Sequence, residues 1–265
     1  MTKKYNELKT KLLCFFIIFI FPSICFAAKY GRSSGGNSRG VVVFLVLFFF
    51  MSILFFIVGI FFIINLIRKK LSKETIDYCS KNGYKYVEKA SKLPIGDDFA
   101  LVNIGTRRGF RTLMVGEKNG VPFILGDYDY KIRQGSTIYF LTATICVMTD
   151  SDSSFSHFYL ADNSYKNYYS GIRLFDLLGG KKTEIINNQT FSSKYLIKSD
   201  YPEEINSFFD ENKIEIFNTN FKENYLCEAK GKSLMLFENN IMRIEDKIQF
   251  LDDSTKMFSS IISNS

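Results

Sequence analysis

Two apolar runs of different length stand out near the start of the chain. Leu12–Phe21 is an unbroken run of ten apolar residues, and Val41–Ile67 has 27 residues without a charged side chain. As helices they would span about 15 Å and about 40 Å, against about 30 Å for the hydrocarbon core of a bilayer. These lengths predict a targeting segment followed by one transmembrane helix.

The first run has the organisation of a secretory signal peptide. Lysines precede it, Pro22 breaks it, and Cys25 and Ala27 stand at positions −3 and −1 of a cleavage site. A basic start, a short apolar region and small residues before the cut are the features of such a peptide. We expect residues 1–27 to be the signal peptide, and an uncleaved membrane anchor is the alternative.

A tether and a membrane helix are predicted to follow. Gly, Ser and Asn dominate residues 28–40, which favours a flexible tether. We expect Val41–Ile67 to cross the lipid bilayer once, because it is apolar on every side. Arg68, Lys69 and Lys70 follow it, a bias typical of the cytoplasmic side. The domain formed by residues 71–265 is therefore predicted to face the cytoplasm at the bacterial inner (cell) membrane.

The rest of the chain mixes short alternating stretches with a few helical ones. Asn119-Gly120 is a type I′ hairpin signal between two strand-like runs. The predicted helices are Leu71–Asn82, Pro202–Asn212 and Ile244–Ile262, and the predicted strands are Tyr84–Glu88, Arg111–Glu117, Val121–Ile132, Ser136–Thr149, Phe155–Leu160, Thr183–Ile186, Lys194–Lys198, Tyr225–Ala229 and Ser233–Glu238. This succession predicts an α+β domain, a mostly antiparallel β-sheet in a meander with flanking helices.

The distribution of charge argues against a nucleic-acid binder. The formal net charge is +7, but residues 1–70 hold 10 Lys and Arg and one acid, hence +9. Residues 71–265 hold 24 Lys and Arg and 26 Asp and Glu, hence −2. The positive charge therefore flanks the apolar segments, and the domain lacks the overall basic character that phosphate binding needs.

Several short motifs of the domain resemble a known group of proteins. Their order is Met114-Val115-Gly116, the turn, Gly126–Tyr130, a strand with Thr142 and Thr144, Phe155–Leu160, and Phe191–Leu196 ahead of Asp200. This order is similar to that of a widespread family of uncharacterised bacterial single-pass membrane proteins, in which a domain of unknown function follows one transmembrane helix. The resemblance covers about Leu71–Ile244 and implies the fold and topology. It implies no catalytic residues.

Asp127 and Asp129 are the first candidates for chemistry. They alternate along a predicted strand, so both project from one face while Tyr128 and Tyr130 take the other. Two acids on one face could bind a divalent cation or act as an acid/base pair, and a solvated face is the ordinary alternative.

Other reactive groups are sparse. His157 is the single histidine, so a Ser-His-Asp or Cys-His arrangement has one candidate base. Cys79, Cys146 and Cys227 are far apart in sequence and are expected to be buried thiols. Gly105–Gly109 is predicted to be an exposed basic loop, with contact to anionic lipid heads as the alternative.

These observations predict no catalytic, cofactor or metal site. The sequence favours a membrane-tethered interaction module with an unknown protein partner. The alternatives are a carboxylate-dependent enzyme acting on a small or lipid-derived substrate, and a structural component of the envelope.

Overall fold

The computed structural model describes residues 38–94, 99–164 and 174–263, which fall into two units. One unit ends at Lys69 and the other spans Lys70–Ser265. The predicted signal peptide, residues 1–27, lies outside the described residues, as does the predicted tether up to residue 37.

The chain described first is one long helix, α1 (Ser38–Asn82). The predicted helix Leu71–Asn82 is the C-terminal part of α1. Gly83 has a φ of +70°, which ends the helix in the left-handed conformation that glycine tolerates. In the part of the chain that the structure describes, no helix combines the length and the apolar character that crossing a membrane requires.

The second unit is built on a nine-stranded sheet, and every strand pairing is antiparallel. The strands are β1 (Lys85–Ala90), β2 (Thr106–Lys118), β3 (Val121–Gln134), β4 (Thr137–Thr149), β5 (Phe155–Asp162), β6 (Lys181–Thr183), β7 (Tyr195–Ser199), β8 (Tyr225–Gly231) and β9 (Ser233–Glu238). Their spatial order is β1-β2-β3-β4-β9-β8-β5-β7-β6. The predicted α+β class with a mostly antiparallel sheet is confirmed.

The predicted meander holds only for the first four strands. Asn119 and Gly120 have φ angles of +54° and +80°, the values that a tight hairpin between β2 and β3 needs. After β4, however, the next neighbour in the sheet is β9, and β5 lies beyond β8. This rearrangement depends on pairing between residues about 90 positions apart, such as Thr144 with Glu238, which local patterns do not encode.

In the part of the chain that the structure describes, four α-helices lie after the fifth strand: α2 (Gln189–Lys194), α3 (Pro202–Phe208), α4 (Glu211–Asn220) and α5 (Ile244–Ile262). The prediction of one helix over Pro202–Asn212 is wrong. The chain leaves the helical path at Phe209, and the Asp210 carboxylate accepts a hydrogen bond from the Lys213 N–H at 2.8 Å. Asp210 therefore caps a new helix, and this capping accounts for the break.

The two faces of the sheet carry separate apolar cores. One face packs beneath helices and includes Leu125, Cys146, Phe250 and Phe258. The other packs against the segments around two short 3-10 helices, Leu101–Asn103 and Leu174–Leu177. Alternate residues of each central strand serve the two cores, so nearly every side chain of β8 and β9 is buried. Polar groups on these strands therefore need partners inside the protein.

Candidate functional site

Asp127 and Asp129 lie on the same face of β3, the face that α5 covers, as their alternation predicts. Their surroundings differ. Asp127 is buried, whereas 44% of the Asp129 side chain is exposed. Each carboxylate is bound to a different cation, Asp127 to Lys247 and Asp129 to Arg111. The two acids therefore belong to two separate ion pairs and do not form an acid/base pair.

Asp127 is the centre of a buried hydrogen-bond network. Its Oδ2 accepts from Lys247 Nζ at 2.7 Å and from Thr112 Oγ1 at 3.1 Å. Thr144 Oγ1 lies 3.4 Å from the other oxygen but donates its one hydrogen at shorter range, 2.8 Å, to the Asn240 carbonyl. The same hydroxyl accepts from the Met242 N–H at 3.1 Å. The network thus joins three strands, α5 and the segment leading into α5.

The Lys247–Asp127 pair is almost completely removed from solvent. Only 6% of the Lys247 side chain and 9% of the Asp127 side chain are exposed. Burying two charges costs several kcal/mol per ion, which direct attraction and additional hydrogen bonds must offset. The hydroxyl of Thr112 supplies one such bond. Asp127 therefore has a structural role, which is to hold α5 against the sheet.

Glu238 stands in one line across the sheet with three residues of this network. Thr112 is paired with Asp127, Asp127 with Thr144, and Thr144 with Glu238. Residues that face each other in antiparallel strands project from the same face. We call Thr112, Asp127, Thr144 and Glu238 the polar row. It crosses β2, β3, β4 and β9 near the start of α5.

Glu238 differs from Asp127 in having no cation bound to its carboxylate among the described residues. Burial raises the pKa of the Glu238 carboxyl from its ordinary value of 4.5 to about 7. Lys222 and a hydrogen bond with Asn224 lower this pKa, and Asp246 raises it, but each of these three effects is smaller than that of burial. A half-buried carboxyl with a pKa near neutrality can accept or donate a proton at physiological pH. Glu238 is therefore the group of the polar row best suited to proton transfer.

His157 contacts a buried acid on the opposite face of the sheet. Its Nε2 lies 3.1 Å from Oε1 of Glu228, which is completely buried on β8. The Glu228 carboxylate also accepts from the N–H groups of Ala100 and Leu101, both at 2.8 Å. These N–H groups begin the first 3-10 helix, where backbone donors otherwise lack partners. The cluster stabilises a turn, and no serine or cysteine side chain is bonded to the imidazole among the described residues.

The prediction that Gly105–Gly109 is a loop is wrong. Strand β2 already begins at Thr106, and Thr106 and Gly109 are paired with residues of β3. A bulge interrupts the register between these two residues, and Arg107 within it has a φ of +50°. The arginines are exposed, as predicted, but on a strand end.

The three cysteines of the domain are buried and free, as predicted. Burial raises the pKa of the Cys146 thiol to about 12 and that of Cys227 well above its ordinary value. The reactive form of cysteine is the thiolate, so burial makes these two thiols unreactive. In the described ranges, no three residues among His, Cys, Asp and Glu are grouped so as to hold a metal ion.

The sequence pattern did not reveal Lys247, Glu228 or Glu238 as site residues. Each is a common charged residue with no motif around it. A signal existed for Glu228 and Glu238, because each interrupts or ends a run of apolar strand residues, Tyr225–Ala229 and Ser233–Glu238. An acid inside such a run must be buried with partners or lie at the end of the covered part of the sheet. For Lys247, position on the apolar side of α5 was the corresponding signal.

The fold and the site define an α+β domain with a polar row beneath a helix. No protein-family model and no curated protein matches the chain. The chain is similar in structure to mycobacterial trehalose monomycolate transport factor A, TtfA, whose crystal structure has been determined. The TM-score is 0.46 with 10% sequence identity, over 72% of this chain and 95% of that chain. Nothing about the activity of this chain follows from a match at this level.

The buried ion pair generates a prediction about stability. Changing Lys247→Met gives an unbranched apolar side chain one atom shorter and leaves the Asp127 carboxylate buried without its cation. We expect the free energy of unfolding to fall by about 3 kcal/mol. Urea denaturation of the full-length protein in detergent, followed by tyrosine circular dichroism, measures this change.

The matched control is Lys222→Met, which removes the cation of an ion pair with Asp253 at 2.7 Å on the surface. An exposed pair contributes less than about 1 kcal/mol. Adding Asp127→Asn to Lys247→Met should recover most of the lost stability, since the unpaired charge is then gone. Equal losses for Lys247→Met and Lys222→Met would contradict the role of the buried pair.

A second prediction concerns the pH dependence of stability. Between pH 4.5 and 7, folded Glu238 holds a proton that the unfolded chain has released. Stability therefore falls as the pH rises through this window, and the contribution is lost above the folded pKa. Glu238→Gln should remove this slope, which urea denaturation at a series of pH values measures. Glu223→Gln, at an exposed acid in the turn before β8, is the control, and an unchanged slope in Glu238→Gln would refute the assignment.

Proposed function

We propose that the chain is a membrane-tethered interaction module, held in a bilayer by Val41–Ile67. The observation that supports this most directly is the character of that segment. It has 27 residues without a charge, and large side chains in its described part are exposed, among them Phe55 at 71%. Exposing many apolar side chains to water is costly, at roughly 25 cal/mol per Å² of apolar surface. Lipid would cover this surface.

The structure describes only some of the side chains of the proposed span. Residues 41–46, 64, 65 and 67 are outside the residues whose side chains the structure describes. As a helix the segment is about 40 Å long, and tilt accommodates the excess over a core of about 30 Å. A span of this kind is also what the resemblance to single-pass membrane proteins implies, and we propose membership of that group on the same grounds.

The proposed orientation follows from the order of the segments. A signal peptide, residues 1–27, directs the chain outwards, and Val41–Ile67 stops its transfer. The domain 71–265 then stays in the cytoplasm at the bacterial inner membrane. Arg68, Lys69 and Lys70 follow the span, in agreement with the enrichment of basic residues on the cytoplasmic side.

Binding is proposed over catalysis because the described charged groups of the candidate sites serve internal contacts. Asp127 holds α5, Asp129 is bound to Arg111, and the His157–Glu228 pair organises a turn. An interaction with a protein partner uses the surface of the domain and leaves these contacts intact.

The second candidate function is a carboxylate-dependent enzyme acting on a small or lipid-derived substrate. The observation that favours it is Glu238, a half-buried carboxyl whose pKa is raised to about 7. General acid or base catalysis favours a pKa near the working pH. Because Asp127 is tied to Lys247, Glu238 is the better catalytic candidate of the polar row.

A test of the tether uses membranes that contain the full-length protein. We expect the protein to stay in the pellet after washing with alkaline carbonate, which releases peripheral proteins. Replacing Phe48, Phe55 and Phe62 together with Asp should release it, since charged residues at the centre of a span cost about 2.5–3.5 kcal/mol each. Complete release of the unaltered protein would refute the proposal. A phosphatase reporter fused after Ser265 should be inactive, and activity would reverse the orientation.

Glu238→Gln separates the two candidate functions. The change keeps the size of the side chain and removes its ability to exchange a proton. If the protein is an interaction module, the variant should complement a deletion strain as well as the wild type and retain the same cross-linked neighbours. Loss of complementation, with unchanged cross-links and a folded domain, would favour the enzyme.

A further inference from the structure

The far end of the β3–β4 hairpin exposes apolar and basic side chains together. Strand pairing places Lys131 opposite Phe140 and Arg133 opposite Ile138, so the four side chains share one face. Phe140 is 71% exposed and Ile138 is 55% exposed. We call Lys131, Arg133, Ile138 and Phe140 the hairpin patch. Two large apolar side chains side by side in water indicate a surface that something covers.

Buried residues on the opposite face of the sheet hold the strands of the hairpin patch in place. The residues that alternate with it, Ile132 and Leu141, are both only 6% exposed and belong to the core on the opposite face. In the described structure β9 pairs with β4 only from Thr144 onwards, so Ile138 and Phe140 lie beyond the part of β4 that β9 covers. The patch is therefore held in place by buried neighbours while its own side chains are free to meet a partner.

The hairpin patch carries an excess of positive charge. Asp129 is the next residue on the same face of β3, but it is bound to Arg111. From Tyr130 to Thr149 the sequence holds Lys131 and Arg133 and not a single acid, although residues 71–265 as a whole carry −2. Arg107 adds a third cation, since its strand neighbour Thr106 pairs with Lys131. Desolvation and then the nearby Arg107 lower the pKa of the Lys131 ammonium, which agrees with crowding of positive charge. A partner with negative charge would relieve this repulsion.

The Lys131 ammonium also lies 4.0 Å from the centre of the Phe140 ring. This contact places a cation over the ring of Phe140, which is more exposed than Ile138, the other apolar residue of the patch. Such an arrangement is suited to a boundary between water and an apolar phase, because the ring can enter the apolar phase while the ammonium remains among anions.

We propose that the hairpin patch docks on the surface of an anionic lipid bilayer. Charge complementarity selects an anionic partner, and the apolar pair selects one with an accessible apolar layer beneath its charges. Two exposed apolar side chains fall well short of the roughly 800 Å² that each side of a stable protein interface buries. Shallow insertion between lipid headgroups needs no such area. The inference rests on the proposed tether, which would keep the domain at high effective concentration near a bilayer.

The chain contains no tryptophan, so a single introduced indole reports on the patch. The full-length Phe140→Trp variant is placed in nanodiscs of phosphatidylcholine alone or with phosphatidylglycerol. We expect a blue shift of emission, and quenching by brominated lipid, in the anionic discs only. Ile138→Trp should behave in the same way. Ile186→Trp is the control, because Ile186 is 78% exposed and its nearest charged neighbour in sequence is the acid Glu184.

Removing the two cations tests the electrostatic part of the proposal. An anionic membrane surface contributes about fivefold in binding per basic residue. Lys131→Gln with Arg133→Gln, in the Phe140→Trp background, should therefore lower the ratio of docked to undocked indole about 25-fold. About 1 M NaCl, which shortens the Debye length to about 3 Å, should also weaken docking.

The outcomes distinguish this inference from the proposed tether. If the protein is not recovered with the discs after a carbonate wash, the tether is refuted. If it is recovered but the Phe140→Trp emission is the same in both kinds of disc, docking of the patch on anionic lipid is refuted alone. A shift with soluble polyglutamate, and none with anionic discs, would also overturn it and indicate an acidic protein as the partner.

Discussion

The contact between Lys247 and Asp127 is the constraint on which the arrangement of the domain depends. Helix α5 covers one face of the sheet through apolar side chains such as Phe250, Leu251 and Phe258. Apolar packing is non-directional, so by itself it tolerates small shifts of a helix along a sheet. The ion pair instead joins one nitrogen of α5 to one oxygen of β3 at 2.7 Å inside the protein. Any shift would leave two buried charges unpaired, which fixes the position of α5.

The two acids of the polar row have different roles, because only Asp127 takes part in this ion pair. Asp127 has a cation and two neighbouring hydroxyls within 3.4 Å and serves the fold. Glu238 lies two strands away in the same row, where burial raises its pKa to about 7. The same chemical group thus has two roles because the surroundings differ.

Local patterns predicted many individual elements but not their assembly, and they placed a strand over Thr183–Ile186, where β6 ends at Thr183. Ile244–Ile262 and Ser233–Glu238 have the predicted bounds, and the turn at Asn119-Gly120 has the predicted geometry, because the evidence for each lies within a few residues. The break at Asp210 was missed although its cause is local, a cap that outweighs helix continuation. The assembly was missed because it depends on distant residues, since the position of β9 beside β4 requires pairing across the whole sheet.

The candidate site was predictable only in part, for the same reason. Alternation placed Asp127 and Asp129 on one face, but it could not say that Lys247, 120 residues away, would lie against one of them. Nor could it show that Arg111 would bind the other. The partner of a buried charge is selected by tertiary packing, and a single sequence contains no direct record of that choice.

The net charge of a near-neutral domain likewise does not show which part of its surface contacts a partner. A domain with −2 overall has a weak long-range field, so attraction to an anionic surface cannot come from a distance. At physiological salt, charges act over about 8 Å, which makes the local grouping of Lys131, Arg133 and Arg107 matter more than the sum. Such a short-range surface is effective only if something else first brings it close. A covalent tether in the bilayer would do so, and for this reason a small patch that would bind weakly as a free domain can be sufficient in the intact chain.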